Sequence, residues 1–366
     1  MPVLSATEAI SPAFRHTTTQ MFKRFRFAFW LRMAVLGFFT AEMSSGGGGL
    51  GNFPTNFPDK SSGRHAGTQM PGHLAWFTPT HILELALAVA IFVVVLTLII
   101  LYINSRLRFV LFDAVLQGDT RLGEGWRKWR DAGQRYFAWQ ILLTVISWML
   151  LILCLGLPAA LLYSGHHLGV WHIDALGIAT LVVAGLFYLL LAVVLGIVMV
   201  LAKDFVVPIM ALENVGWQDG WRKFFEIARG QASDYVVYFL MKIVLRIGAG
   251  IVQGIIGVFV MLILIVPAVL AVIAGVAIGV GATMVVKAML ITAGIIGLLI
   301  MVFLMIAVSA LIGAPVSFFF PSYAIYFFAG RYERLGRIVF PPPPPPPAPP
   351  APIVPEPMPE PPPLPA

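Results

Sequence analysis

The sequence predicts an all-α integral membrane protein, a bundle of about six transmembrane helices. Hydrophobic residues make up 59% of its 366 residues, only 11% are charged, and the mean hydropathy is +0.89. Soluble domains carry roughly 25% charged residues, so this composition favours a chain that lies in lipid. The predicted organisation is a basic N-terminal segment at 1–26, a membrane domain at 27–338 and a proline-rich tail at 339–366.

Five apolar segments are long enough to cross a bilayer, which requires about 20 residues. They are 82–103, 136–163, 175–202, 236–266 and 288–312. Thr78 and Pro79 predict where the first of these helices begins, because threonine caps helices and proline fits their first turn.

Two further stretches are less regular. The apolar run at 27–43 is short and contains Arg32, and it is predicted as a sixth span whose arginine reaches towards the headgroups. The glycine-rich stretch at 268–286 is a re-entrant segment, an interfacial segment or an additional span. Six spans are preferred, because one more would move the basic residues of the tail outside the cell.

Basic residues alternate between successive loops. Lys and Arg are frequent in 1–26, 104–135 and 203–235, whereas 164–174 contains none. Cytoplasmic loops of membrane proteins carry this excess, so both termini are predicted to be cytoplasmic, in the inner (cytoplasmic) membrane. The net charge of +7 has the same explanation, and no nucleic-acid partner is predicted.

The string Gly-Trp-Arg-Lys occurs twice, at 125–128 and 220–223. The longer segments 108–129 and 204–225 align with one gap, and each lies between two apolar segments. This pattern predicts two repeated units, near 82–163 and 175–266. In each copy aromatic residues fall on one face of a short helix with basic residues between them, which is typical of an amphipathic helix in the inner membrane interface.

Eight residues are candidate contacts to lipid headgroups, chiefly those of anionic phospholipids. Each basic side chain near an anionic leaflet contributes on the order of 1 kcal/mol to binding. Two of the eight lie four residues apart inside an apolar segment; they either act within the membrane or lie at its inner interface, and the interface is favoured. The set is Trp126, Arg127, Lys128, Trp221, Arg222, Lys223, Lys242 and Arg246.

Asp113 and Asp204 occupy similar positions at the start of the two polar loops. Carboxylates placed in this way serve either a proton relay or local ion pairs. Pairing is favoured because Arg108 and Lys203 lie close to them in the sequence.

The second copy resembles a known family. Its segment DFVVPIMALENVGWQDGWRKFFEIARGQASDYVVYFL combines Asp204, Pro208, a Leu-Glu-Asn turn at 212–214 and a basic, aromatic helix. This pattern resembles the membrane domain attached to some glycerophosphodiester phosphodiesterases and related uncharacterised multi-pass families. The resemblance covers residues 8–338 and implies fold and membrane location. The hydrolase's glutamate, histidine and aspartate set is missing from the sequence, so the resemblance implies no hydrolase activity.

The sequence contains no serine-nucleophile, zinc-protease or phosphate-loop motif. Six histidines fall in two predicted outer loops, but their spacing matches no metal-binding motif, so ordinary loop residues are the favoured interpretation. We therefore predict a non-enzymatic protein without metal or cofactor that organises membrane lipids or partner proteins. A small-molecule or lipid transporter is the alternative.

Proline and alanine dominate residues 341–366. This composition cannot build a packed core, and it predicts a disordered, extended polyproline segment. The segment is predicted to be a spacer; docking into an aromatic groove of a protein partner is the alternative.

Overall fold

Helices make up the regular structure of the described part of the chain. The computed structural model describes residues 3–23, 25–40, 79–118, 121–156, 158 and 175–341. These ranges contain eleven α-helices and no strand, which confirms the all-α prediction. The α-helices are α1 Ile10–Thr17, α2 Phe27–Phe39, α3 Pro79–Gln117, α4 Leu122–Lys128, α5 Arg130–Leu151, α6 Ala175–Leu201, α7 Val207–Glu213, α8 Trp217–Ala228, α9 Ala232–Val280, α10 Met284–Ala329 and α11 Glu333–Val339. Short π-helical segments follow α1, α5 and α6, at Thr18–Lys23, Ile152–Gly156 and Ala202–Val206.

Five helical segments of the described residues are long and apolar enough to cross a membrane. They are Glu84–Gln117, Arg130–Gly156, Gly177–Glu213, Ala232–Val280 and Met284–Ala329. The prediction of a sixth span at 27–43 is wrong for its described part, since α2 has only 13 residues. A helix of that length covers about 20 Å, less than the ~30 Å hydrocarbon core. Instead, α2 packs along α10 and buries Phe29, Met33 and Leu36.

The stretch 268–286 forms the tip of a helical hairpin. Helix α9 continues through Pro267 for 49 residues, and α10 begins at Met284 after a short turn that starts at Gly281. At about 1.5 Å per residue, α9 is about 74 Å long, more than twice the thickness of the hydrocarbon core. Of the three alternatives for this stretch, the structure shows no additional span, because the stretch completes α9, reverses the chain and starts α10.

The packed core lies at one end of the bundle. It is built from the C-terminal part of α3, the start of α5, the π-helical segment after α6, the start of α9 and the end of α10. The remaining parts of the long helices leave large apolar side chains exposed, such as Phe92, Phe187, Phe259 and Phe303. Apolar surface of this extent is expected to be covered by lipid.

Both described ends of the chain join this packed end. Arg331, whose side chain is 2% exposed, donates hydrogen bonds to the Leu4 carbonyl oxygen and to the Asp234 carboxylate, each at 2.9 Å. The Tyr323 hydroxyl donates to the carbonyl oxygen of Ala6 at 2.9 Å. The N-terminal segment and α11 therefore lie at the same end of the bundle. Which side of a membrane this end faces stays a prediction.

We expect Arg331→Met to lower the free energy of unfolding by about 2–3 kcal/mol, because hydrogen bonds of a buried charged group are lost. The methionine side chain keeps the apolar contact with Phe327, whose ring centroid lies 4.0 Å from the guanidinium carbon. Thermal unfolding in mild detergent measures the loss, and limited proteolysis should release the N-terminal segment faster. Arg337→Met, at an exposed position, is the control. Equal behaviour of the two variants would contradict the anchoring role.

Candidate lipid-facing surface and buried ion pair

Helix α4 folds back against α3 through a close glycine contact. A Cβ atom on Gly125 would lie 3.1 Å from Cγ1 of Val110, so no larger residue fits there without a shift. The chain turns beforehand at Gly118, whose φ of 66° is left-handed. At the other end of α4, the Lys128 ammonium lies 2.9 Å from the Asp113 carboxylate. Glycine and lysine of the first Gly-Trp-Arg-Lys string therefore attach α4 to α3.

Helix α8 is attached in the same way. A Cβ atom on Gly220 would lie 2.9 Å from Cγ1 of Val206. The preceding turn is at Asn214, the only described non-glycine residue with a positive φ, at 53°. The Lys223 ammonium lies 2.5 Å from the carboxylate of Glu213.

The two strings also make matching aromatic contacts. Phe109 stacks on Trp129 with ring centroids 5.7 Å apart, and the aligned Phe205 stacks on Phe224 at 5.4 Å. The glycine contacts and the left-handed turns fall at aligned positions too, whereas the two carboxylates come from different turns of their helices. This agreement in contacts supports the predicted repeat, which stays a prediction.

Glu213 connects α8 to the C-terminal part of the chain. The Tyr332 hydroxyl donates to its carboxylate at 2.7 Å, and Nε of Arg334 lies 3.7 Å away. Burial, and then the hydrogen bond to this carboxylate, hold the pKa of the Tyr332 hydroxyl well above its usual range. Tyr332 therefore stays protonated at physiological pH and keeps donating.

The candidate headgroup residues divide into two groups. Arg127 and Arg222 are exposed, and the Arg222 side chain keeps 74% of its surface although it pairs with Asp219 at 3.0 Å. The two lysines of the strings are engaged by carboxylates, as described above. Trp126 and Trp221 are half-buried and pack against the core. Each string therefore turns its arginine outwards and uses its other residues to attach the helix.

Lys242 occupies a different place from the one predicted. Its side chain is 3% exposed and is bonded to the Asp204 carboxylate, which is 5% exposed. The Tyr238 hydroxyl donates to the same carboxylate at 3.0 Å. The prediction that Lys242 contacts headgroups is wrong for this arrangement, because its ammonium is inside the core. Arg246 is half-buried, with its guanidinium carbon 4.7 Å from the Phe320 ring centroid.

The carboxylates predicted to pair locally have more distant partners. Asp204 pairs with Lys242, 38 positions away, and Asp113 pairs with Lys128, 15 positions away. Both partners lie farther away in the sequence than the predicted Arg108 and Lys203. The reason is that α9 and α4 fold back along the helices that carry the carboxylates.

A small cavity lies beside the buried pair. Its volume of about 30 Å³ is enough for one or two water molecules. Aligned positions of the two copies both line it: Arg108 and Asp204, and Phe112 and Pro208. Lys203 and Pro321 also line the cavity. The cavity therefore lies where the two similar segments meet.

Sequence reasoning missed Arg106, which is 6% exposed. Its guanidinium carbon lies 4.6 Å from the Tyr102 ring centroid and 4.9 Å from that of Trp126. This cation–π arrangement connects α4 to α3. The contact lies just after the N-terminal part of α3, whose large apolar side chains are exposed. The four-residue spacing of Tyr102 and Arg106 was visible in the sequence, but the third partner comes from another helix.

A second missed feature is an open cleft between α2 and α4. Three arginines line this shallow, open depression together with one carboxylate, Glu124. The arginines are Arg32, Arg121 and Arg127, and Arg121 lies 3.2 Å from Glu124. Only Arg127 of these was a predicted headgroup contact. The sequence separation between Arg32 and α4 hides the cluster until the fold places Arg32 on the same surface as Arg121 and Arg127.

Within the described ranges, no three histidine, cysteine or acidic side chains come together as a metal site would require. The predicted outer-loop histidines at 65, 73, 166, 167 and 172 lie outside those ranges. The proline-rich segment at 342–366 lies outside them as well.

A family model matches residues 4–338, nearly the whole chain before the proline-rich tail. The chain belongs to DUF7544, a family of unknown function. No curated protein matches the chain, and no solved structure does. Membership of DUF7544 agrees with the predicted relation to uncharacterised families, but nothing in these comparisons supports a relation to glycerophosphodiester phosphodiesterase membrane domains.

Proposed function

We propose that this DUF7544 protein is a non-enzymatic, multi-pass protein of the inner (cytoplasmic) membrane that binds anionic phospholipids at the inner surface. The observation that carries this proposal is the outward position of Arg127 and Arg222 on two similarly attached helices. Guanidinium groups bind phosphate through paired, charge-assisted hydrogen bonds, so two such groups at one membrane surface would favour anionic lipid.

The level of these helices along the bundle supports an interfacial role. The ring centroids of Trp126 and Tyr102 lie 6.2 Å apart, next to the N-terminal part of α3 whose large apolar side chains are exposed. The Trp221 ring lies 6.1 Å from Trp139, which is among the last buried residues of α5. Tryptophan is favoured at the level of the headgroups, so both helices have the composition and position expected at a membrane surface. The excess of basic residues at this end favours the cytoplasmic side.

A transporter is the second candidate, and the cavity beside Asp204 and Lys242 is the observation that favours it. Transporters with internal repeats bind substrates where the repeats meet, and aligned residues of the two copies line this cavity. Substrate-dependent flux in reconstituted liposomes would support this candidate over the lipid-binding one.

Two other predictions, the family likeness and the partner of the proline-rich tail, do not change the proposed function. The likeness to glycerophosphodiester phosphodiesterase membrane domains stays a prediction and brings no hydrolase activity to this chain. A protein partner for the proline-rich tail also stays a prediction, and pull-down with residues 339–366 as bait against the same segment with its prolines replaced is its direct test.

The lipid-binding proposal predicts that Arg127→Gln with Arg222→Gln weakens binding of anionic phospholipid by about tenfold or more. Each lost cation removes on the order of 1 kcal/mol at an anionic surface. Native mass spectrometry of protein purified in mild detergent, titrated with anionic and zwitterionic phospholipid, measures the change.

Arg334→Gln with Arg337→Gln is the matched control, because it removes two exposed cations from the same end of the bundle. Anionic binding should fall in the first variant and change less in the control, with zwitterionic binding unaltered in both. Equal retention of anionic lipid by wild type and both variants would sink the proposal.

A further inference from the structure

We propose that the guanidinium of Arg106, in contact with the rings of Tyr102 and Trp126, binds the phosphodiester group of an anionic phospholipid. This site rests on the proposed lipid binding and adds to it a buried residue and the chemical group that the residue recognises. Two observations carry it: the described residues supply no counter-charge for this buried cation, and the cation lies at the edge of the exposed apolar surface.

Arg106 differs from two other buried cations of the described ranges. Lys242 is bonded to the carboxylate of Asp204, and Arg331 to that of Asp234. Arg106 is 6% exposed, and no oxygen atom of the described residues accepts a hydrogen bond from its guanidinium. A buried charge is costly unless it is paired and hydrogen-bonded. We therefore expect an anion from outside the chain to pair with Arg106.

The two rings contact the guanidinium without satisfying its hydrogen-bond donors. The guanidinium carbon lies 4.6 Å from the ring centroid of Tyr102 and 4.9 Å from that of Trp126. Ring faces stabilise the positive charge, but they supply no oxygen for the N–H groups in the guanidinium plane. Among the nitrogen atoms of Arg106, only Nε is both fully buried and without an acceptor. The two terminal nitrogens are therefore the donors left for a ligand, and such a pair suits two phosphate oxygens.

Helix α5 holds the aliphatic part of the same side chain. A Cβ atom on Gly133 would lie 2.7 Å from Cγ of Arg106, so the backbone of α5 packs directly against it. A side chain that is already held in place loses little conformational freedom when it binds an anion. Residues of α3, α4 and α5 thus orient the guanidinium before any ligand arrives.

The position of Arg106 along α3 suits the phosphate of a lipid. Helical side chains lean towards the N-terminus of their helix, and the guanidinium accordingly lies over Tyr102. Leu98 and Ile99, on the same face by their spacing, keep 41% and 50% of their surface exposed, whereas residues 105–112 are buried. Headgroups lie where the lipid-covered apolar surface ends. A lipid whose acyl chain covers Leu98 and Ile99 therefore has its phosphate near Arg106.

Inorganic phosphate shares the phosphate oxygens but would not use the apolar surface of α3. The experiment therefore adds three probes separately to the delipidated full-length protein in mild detergent: phosphatidylglycerol, phosphatidylcholine and inorganic phosphate. Thermal unfolding gives the change in Tm that each probe causes. We expect phosphatidylglycerol to raise Tm by about 3 °C or more, because a ligand that binds only the folded state stabilises it. Phosphatidylcholine, which is zwitterionic, and inorganic phosphate should each raise Tm by less.

Variants assign this stabilisation to Arg106. Arg106→Met keeps an apolar side chain at the position and should remove most of the rise in Tm caused by phosphatidylglycerol. Native mass spectrometry should show about tenfold weaker binding of this lipid to the variant. Arg106→Lys should lose less, because lysine keeps the charge. The readout is the change that lipid causes in each variant, which a purely structural role of Arg106 would leave as in the wild type.

Arg229→Gln is the matched control. It removes an exposed cation from the same end of the bundle, at a position that the proposed lipid contacts do not include. It should keep the full rise in Tm. If Arg106→Met does not fold, Arg106→Gln takes its place, since glutamine retains hydrogen-bond donors without the charge.

Several outcomes would overturn the site. An equal rise in Tm with phosphatidylcholine would refute the preference for an anionic lipid, and an equal rise with inorganic phosphate would refute a lipid as the ligand. A full rise in a folded Arg106 variant without the charge would refute the role of Arg106. If that occurs while Arg127→Gln with Arg222→Gln still weakens anionic lipid binding, only this site fails. If neither change alters binding, the proposed function fails with it.

Discussion

Replacing Asp204 with alanine is expected to lower the free energy of unfolding by about 3–5 kcal/mol, because one partner of a buried ion pair is lost. The side chains of Asp204 and Lys242 are 5% and 3% exposed and are bonded to each other. Without the carboxylate, the Lys242 ammonium would remain in the core with its counter-charge removed. The Tyr238 hydroxyl would lose the acceptor that now lies 3.0 Å away.

Equilibrium unfolding in mild detergent, followed by tryptophan fluorescence, measures this loss. The double variant Asp204→Leu with Lys242→Met should recover most of it, because well-packed apolar residues often replace a buried pair without net cost. Asp219→Ala is the control, since it breaks an ion pair whose side chains are 55% and 74% exposed; its effect should stay within about 1 kcal/mol. An Asp204→Ala protein as stable as the Asp219→Ala protein would show that the pair is not stabilising.

Replacing Gly133 with alanine is expected to destabilise the protein by about 1–3 kcal/mol through overpacking. A Cβ atom there would lie 2.7 Å from Cγ and 3.2 Å from Cα of Arg106. The long side chain could bend away, but its guanidinium is held between the rings of Tyr102 and Trp126. Relief would therefore have to come from movement of α5 relative to α3, or from loss of the cation–π contacts.

Gly248→Ala is the matched control for this substitution. Gly248 also lies within a helix, but nothing approaches within 4 Å of the position of its Cβ atom. Alanine is the better helix former by up to about 1 kcal/mol, so Gly248→Ala should be neutral or stabilising. Thermal unfolding of both variants gives the comparison. Equal stabilities for the two variants would contradict the close approach of α3 and α5.

Most of the membrane helices could be predicted from the sequence. Apolar length and composition alone locate all five long segments. The structure describes α3 from Pro79 onwards, so the cap predicted at Thr78 lies outside the described residues. The run at 27–43 was predicted as a span because hydropathy does not show whether an apolar side chain contacts lipid or another helix. Helix α2 is apolar because it buries one face against α10 and exposes another apolar face.

The candidate site could be predicted only in part. The repeated string pointed to α4 and α8 and to their arginines. It could not show that the lysines attach each helix to the preceding one, because that depends on how each helix folds back. Lys242 was misplaced for a similar reason: its position within an apolar run fits both a lipid-facing and a buried side chain, and only the partner Asp204 decides between them.

The sequence by itself determined that this protein is a helical, multi-pass membrane protein with two basic, aromatic strings between its apolar segments. These properties follow from composition and local spacing, which depend on neighbouring residues alone. The tertiary structure decided that α9 and α10 form one long hairpin, that Asp204 pairs with Lys242, and that Arg32 joins Arg121 and Arg127 in one cleft. Such residues lie far apart in the sequence, and only the packing of helices against one another brings them together.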